Sequence, residues 1–341
     1  MQATAKAPAS STIERAGARL CRRLTLALLL VLSLSLCFGA VAMTPAQLWA
    51  GISGSDPALA AILLEIRLPR VLLGAVVGAA LGLCGAALQG LLQNPLAEPG
   101  LLGVSAVASL GAVAALYFGL AAVSTLALPL SALAGALLAT LLLLWLARRS
   151  GSLTLILSGV ALGSLAVALT ALAINLSPNP YASAELVFWL MGSLRDRGLD
   201  DLLLVLPFVA TGALLLRGVG RGLDALTLGE DAGQSLGIDL ARLRTRVVLA
   251  AALLAGGSVA GAGGVGFVGL VVPHLVRPFV AHRPGALLWP SALAGALLLA
   301  SADLAVRLLP SGSELMLGVL TALIGAPFFL HLILQLGRQQ Q

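Results

Sequence analysis

Apolar residues recur along this chain in blocks too continuous for the patterning of a water-facing fold. One block runs from about Leu24 to Met43. Others fall at about 62–90, 98–119, 122–147, 153–176, 202–216, 247–263, 266–281, 287–308 and 314–336. Most of them are long enough to cross the hydrocarbon core of a bilayer, which takes about 20 helical residues. Lipid offers no partner to a backbone N–H or C=O, so each block is predicted to be a helix that satisfies its own backbone. The predicted fold class is therefore all-α, a polytopic membrane bundle of about ten transmembrane helices. Turn residues separate the blocks at Asn94-Pro95, Arg148-Arg149-Ser150-Gly151, Ser177-Pro178-Asn179-Pro180, His282-Arg283-Pro284-Gly285 and Pro310-Ser311-Gly312.

Composition changes the picture only by removing the soluble alternative. Apolar residues make up 59% of the chain and charged residues 10%, with mean hydropathy +1.04, whereas a soluble domain carries about a quarter charged residues. The 341 residues are thus read as a polar arm, 1–23, and one membrane domain, 24–341. Arg15, Arg19, Arg22 and Arg23 before an apolar run, with Ala40-Val41-Ala42 after it, resemble a signal peptide. The run is long enough for a full span and many spans follow, so it is read as a retained first helix.

The net charge of +6 does not mark a nucleic-acid surface, because the basic residues are scattered between apolar blocks. They carry topology instead. With both termini cytoplasmic, the inner side collects Lys6, Arg15, Arg19, Arg22, Arg23, Arg148, Arg149, Arg217, Arg221, Arg242, Arg244, Arg246, Arg277, Arg283 and Arg338. The outer side holds Arg67, Arg70, Arg195, Arg197 and Arg307, against the trend. Glycines are expected to let helices approach closely, as in the run from Gly74 to Gly82.

Catalytic chemistry finds little support. Cys21, Cys37 and Cys84 show no metal or disulfide spacing, and His274, His282 and His331 show no ligand spacing. The lone lysine, Lys6, lies in the N-terminal arm, so a phosphate-binding loop of the Gly-Lys-Ser/Thr type is excluded. Ser158-Gly159 lacks the glycine two residues before the serine that a nucleophile turn of an intramembrane protease wants. Acidic residues sit mostly at span ends, and Asp303 has Arg307 one turn away as a partner, which leaves an ion-coupled carrier little to work with. The longest inner loop, 217–246, contains Leu228 to Ile238, with Ala232 and Leu236 four residues apart. It reads equally as short helices lying against a protein surface or as a solvated loop.

Several segments resemble a known family. They are Arg67-Leu68-Pro69-Arg70 and the Gly/Ala-rich helix to Gln89, Asn94-Pro95-Leu96-Ala97-Glu98-Pro99, Leu157-Ser158-Gly159-Val160-Ala161, Trp189 to Leu194, Gly229 to Gly237, Gly266 to Arg277, Asp303 to Arg307, and Gly318 to Phe329. Together they are similar to the FecCD-type permeases of binding-protein-dependent ABC importers for iron-siderophores, haem and vitamin B12. Two departures are Glu98, where the family often has Asp, and Leu317, where Pro is common.

The resemblance implies an inner-membrane permease without cofactor or catalytic residues of its own, paired with a second permease subunit, read here as a second copy. It implies two cytoplasmic ATPase subunits that use ATP and Mg, and a periplasmic substrate-binding protein. It places docking of that protein on Arg67, Arg70 and Arg307, and ATPase coupling on Gly229, Glu230, Ala232, Leu236 and Gly237. It places the translocation pathway along Leu81, Leu88, Gln89, Asn94, Pro95 and Leu165. The cargo expected is an Fe(III)-siderophore, with haem and vitamin B12 as alternatives and an ion-coupled carrier as the reading from another class.

Overall fold

The computed structural model describes residues 10–39, 43–100, 102–124, 126–147, 152–177, 180–309 and 315–339. Among them all regular structure is helical: α1 (Ser10–Cys37), α2 (Pro45–Ser53), α3 (Pro57–Leu92), α4 (Val104–Tyr117), α5 (Ala127–Ala147), α6 (Ser152–Asn175), α7 (Pro180–Leu190), α8 (Leu199–Leu215), α9 (Gly220–Leu226), α10 (Glu230–Ser235), α11 (Leu240–Ala262), α12 (Val268–Val276), α13 (Pro284–Leu308) and α14 (Leu317–Gln339). Lys6, Ala40 to Ala42, Arg148 to Gly151, Pro178-Asn179, Pro310 to Gly312 and Glu314 lie outside the described residues.

Six helices, α1, α3, α5, α6, α11 and α13, are long and apolar enough to span a bilayer. A seventh candidate is α8 continued into α9 through a bend of 55°. Three shorter apolar helices complete the set: α4, α12 with its 3₁₀ extension Arg277–Val280, and α14. Each falls on one of the ten apolar blocks. Three further elements, α2, α7 and α10, lie outside the block pattern because they are short. Helix α2 is set by its ends: Thr44 Oγ1 accepts from Gln47 N at 3.3 Å, Thr44 N donates to Gln47 Oε1 at 2.8 Å, and Gly54 closes it at φ 72°.

Helix α3 opens under an Asp56 cap, whose Oδ1 accepts from Ala58 N and Leu59 N at 3.0 and 3.2 Å. It then widens into a π-turn over Ile62–Arg67, where Leu68 N–H reaches back to the Leu63 carbonyl. Pro69, which has no N–H to give, sits directly after that turn. Beyond it α3 is the axis of the bundle: 78% of its span is buried inside the chain, against 6% for α1.

Glycine makes that burial possible. Gly78, Gly82 and Gly85 recur on one face of α3, and a methyl group on any of them would strike the carbonyl of Gly295, Ser291 or Gly269, respectively. Backbones of α3, α12 and α13 therefore meet without intervening side chains. In lipid, where apolar expulsion does not hold helices together, such close packing supplies the attraction.

Candidate functional site

One end of the bundle is organised by three arginines and one aspartate. Arg70 donates from Nε and Nη2 to Asp303 Oδ1 at 2.9 and 2.8 Å. Arg307 Nε lies 3.1 Å from Asp303 Oδ2 but is poorly aligned with it, and that N–H points instead to the Asp303 carbonyl at 3.4 Å. Arg67 donates to the carbonyls of Leu36 and Cys37 at 2.6 and 3.1 Å, and Arg307 to those of Ser35 and Phe38 at 3.0 and 3.2 Å. Arg307 also bonds the Ser35 hydroxyl.

Within this chain Arg67 is only 6% exposed and the side chains of Arg70 and Arg307 are largely covered. The physical reason is the C-terminus of α1, whose last carbonyls have no helical partner and take cations readily. Arg195 and Arg197 are matched as their sequence suggests, by Asp196 at 3.4 Å and Asp201 at 3.2 Å.

The pathway residues divide into two groups. Leu88 is fully buried and Gln89 nearly so. Gln89 Nε2 donates to the carbonyls of Gly269 and Leu270 at 3.3 and 3.4 Å, and its Oε1 accepts from Arg277. Both residues pack α3 against its neighbours, because the glycine face lets other helices enclose α3. Leu81 is also buried but borders a cleft of about 200 Å³ shared with Glu98, Ser105, Ser109, Val265 and Phe267. Leu165 on α6 is exposed, and Asn94 and Pro95 are half-buried, with Asn94 Oδ1 accepting from Leu96 N at 2.9 Å.

At the opposite end the 217–246 segment contains two short helices, α9 and α10. Leu228 and Leu236 flank α10 and are 68% and 63% exposed, while Ala232 is half-buried. Gly229 at φ 102° and Gly237 at φ 81° have open space around them, so their backbone angles, not crowding, require glycine. Helix α10 closes with Gly237 N donating to Gln234 O at 2.8 Å and Ile238 N to Gly233 O at 3.1 Å, the paired bonds of a Schellman motif. Glu230 pairs with Arg244 at 3.1 Å.

Asp224 and Arg246 join this segment to spans, and only their charge marks them in the sequence. Asp224 on α9 accepts from Arg283 Nη2 at 2.8 Å and from Gly285 N at 2.7 Å, at the start of α13. Arg246 on α11 donates to the carbonyls of Leu215 and Arg217 at 2.7 and 2.8 Å, at the end of α8. Asp224 thus ties α9 to α13, Glu230 ties α10 to α11, and Arg246 ties α11 to α8. Among the described residues there is no cluster of metal-binding side chains.

Comparison with known proteins agrees with this architecture. The chain is 44% identical over 315 residues to the vitamin B12 import system permease protein BtuC of Vibrio cholerae serotype O1, covering 90% of this chain and 93% of that one. It is 42% identical over 293 residues to the ABC transporter permease protein YvrB of Bacillus subtilis, which carries no assigned substrate, covering 84% and 82%. A solved structure described as an inward-facing conformation of a metal-chelate type ABC transporter superposes with TM-score 0.84 at 33% identity, over 93% of this chain and 99% of that one. The model of the FecCD transport family matches residues 26–335. With ten apolar helices, a buried arginine cluster at one end and a tethered pair of short helices at the other, the chain belongs to the FecCD transport family as a multi-pass permease subunit of the ABC importer type.

Proposed function

We propose that this permease takes a large metal chelate from a binding protein at the Arg67–Arg70–Arg307 end and is driven by a pair of ATPase subunits seated on α9 and α10. The observation that carries the reading is the pair of exposed leucines, Leu228 and Leu236, on either side of the short helix α10, which Glu230 ties to α11 while Asp224 ties α9 to α13. Exposed apolar side chains beyond the apolar spans, on a rigidly connected element, suit insertion into a groove of another protein. ATP-driven movement of that groove would tilt α8, α11 and α13 as bodies, a rigid-body switch between two packings.

Vitamin B12 is the first cargo to test, because BtuC of Vibrio cholerae is a vitamin B12 import permease by name and is 44% identical. The metal-chelate description of the solved relative supports the wider class, in which Fe(III)-siderophores and haem are the other members. A second copy of the chain completes the pathway. Helix α6 supports that pairing, since only 17% of its span is buried within the chain and Leu157, Leu165 and Val167 project outward from it.

The test is ATP-dependent accumulation of radiolabelled cobalamin, ferric siderophore and haem in proteoliposomes containing the permease, its ATPase and its binding protein. Accumulation of cobalamin alone, lost in Leu236→Asp, is the expected result. No accumulation of any of the three by a demonstrably assembled complex would reject the chelate reading.

A further inference from the structure

On α1, Arg19, Arg23, Leu26 and Leu30 fall on one helical face, spaced by four, three and four residues. The upper part of this face borders a cavity of about 190 Å³ lined by Arg19, Leu20, Arg23 and Phe279. Phe279 belongs to the 3₁₀ turn Arg277–Val280 and projects outward. Below the cavity Leu26 and Leu30 are each 62% exposed. The face thus runs from two guanidinium groups through an aromatic wall to an open apolar stripe.

The cavity lies at the same end of the bundle as α9 and α10, because the turn leads directly to Arg283, which pairs with Asp224 of α9 at 2.8 Å. That end carries most of the basic residues and the apolar run of α1 begins just below it, so the cavity stands at the headgroup level of that leaflet.

We propose that this cavity binds one anionic phospholipid. The phosphodiester accepts charge-assisted hydrogen bonds from Arg19 and Arg23, and an acyl chain lies along Phe279, Leu26 and Leu30. Charge complementarity selects the headgroup, and the apolar stripe directly below the arginines selects a lipid over a soluble anion. With only 6% of the span of α1 buried, the lipid would cover the exposed side of its contact with the turn that holds Gln89 through Arg277. The inference stands apart from the transport reading, because lipid retention is measured without cargo, ATPase or binding protein.

The experiment is native mass spectrometry of the detergent-purified full chain after addition of dioleoylphosphatidylglycerol, dioleoylphosphatidylcholine or inorganic phosphate, with thermal unfolding measured in parallel. One phosphatidylglycerol is expected to remain bound and to raise the unfolding temperature, with neither effect from phosphatidylcholine or phosphate. Arg19→Gln and Arg23→Gln each weaken retention about fivefold. Phe279→Ala weakens it without altering the charges that set topology, and Arg242→Gln, an equal charge change elsewhere at that end, leaves it unchanged. Equal retention of the two lipids, full competition by inorganic phosphate, equal loss in Arg242→Gln, or undiminished retention in the other three variants would overturn the proposal.

Discussion

Arg70 grips a single oxygen of Asp303 with two N–H groups, at 2.9 and 2.8 Å, across 233 residues of sequence. The pair fastens α3 to α13 beyond the Gly78 end of the glycine seam, and Arg307 places a second cation against the same carboxylate. Because all three side chains are largely buried, removing the carboxylate strands charge in a low-dielectric site. Asp303→Asn is expected to cost about 3–5 kcal/mol of stability, whereas Arg70→Met combined with Asp303→Leu recovers much of the loss. Thermal unfolding of the purified chain checks both.

Gly82→Val puts a branched side chain against the Ser291 carbonyl, a neighbour that cannot rotate away. The expected loss is at least about 3 kcal/mol, seen as aggregation in size-exclusion chromatography. Gly17→Ala on α1, where nothing lies within 4 Å, should instead stabilise its helix by up to about 1 kcal/mol.

Leu236→Asp is predicted to leave the unfolding temperature of the permease unchanged while abolishing co-purification with its ATPase, since the leucine is exposed within this chain. Gly237→Ala forces an L-residue into the left-handed region at a cost of about 1–2 kcal/mol. It should lower transport-coupled ATP hydrolysis more than it lowers assembly, and unchanged coupling would count against the coupling role of α10.

Arg67→Gln withdraws a cation from the open end of α1. Hydrogen bonds from charged donors contribute about 1.5–3 kcal/mol, so amide exchange at Phe38, whose N–H bonds Leu34 at 2.8 Å, should quicken at least about tenfold. Exchange within the buried part of α3 should not change.

The spans were legible because their signal is local: a run of apolar residues must become a helix in lipid whatever it packs against. Glycine spacing on α3 likewise foretold close approach, and Asp303 with Arg307 is a one-turn neighbour pair. What was not legible depends on partners distant in sequence. Nothing near Arg70 in the chain points to Asp303, and nothing near Arg67 points to the carbonyls of Leu36 and Cys37. The burial of Leu88 and Gln89 was not legible either, because a Gly/Ala-rich helix suits a passage wall and an enclosed position equally. The segment around α10 left two readings open because its apolar residues are few, and only the fold shows which of them remain uncovered.

The glycine seam sets where this molecule is able to bend. With backbone against backbone along α3, α12 and α13, no side chain is available there to change rotamer and take up a small displacement, so those helices move as one rigid mast. Compliance is left to the lightly held members, α1 and α6, and to the bend of 55° between α8 and α9. Any opening and closing of the molecule is then a motion of sails about that mast, and slow exchange should map the mast while fast exchange maps the sails.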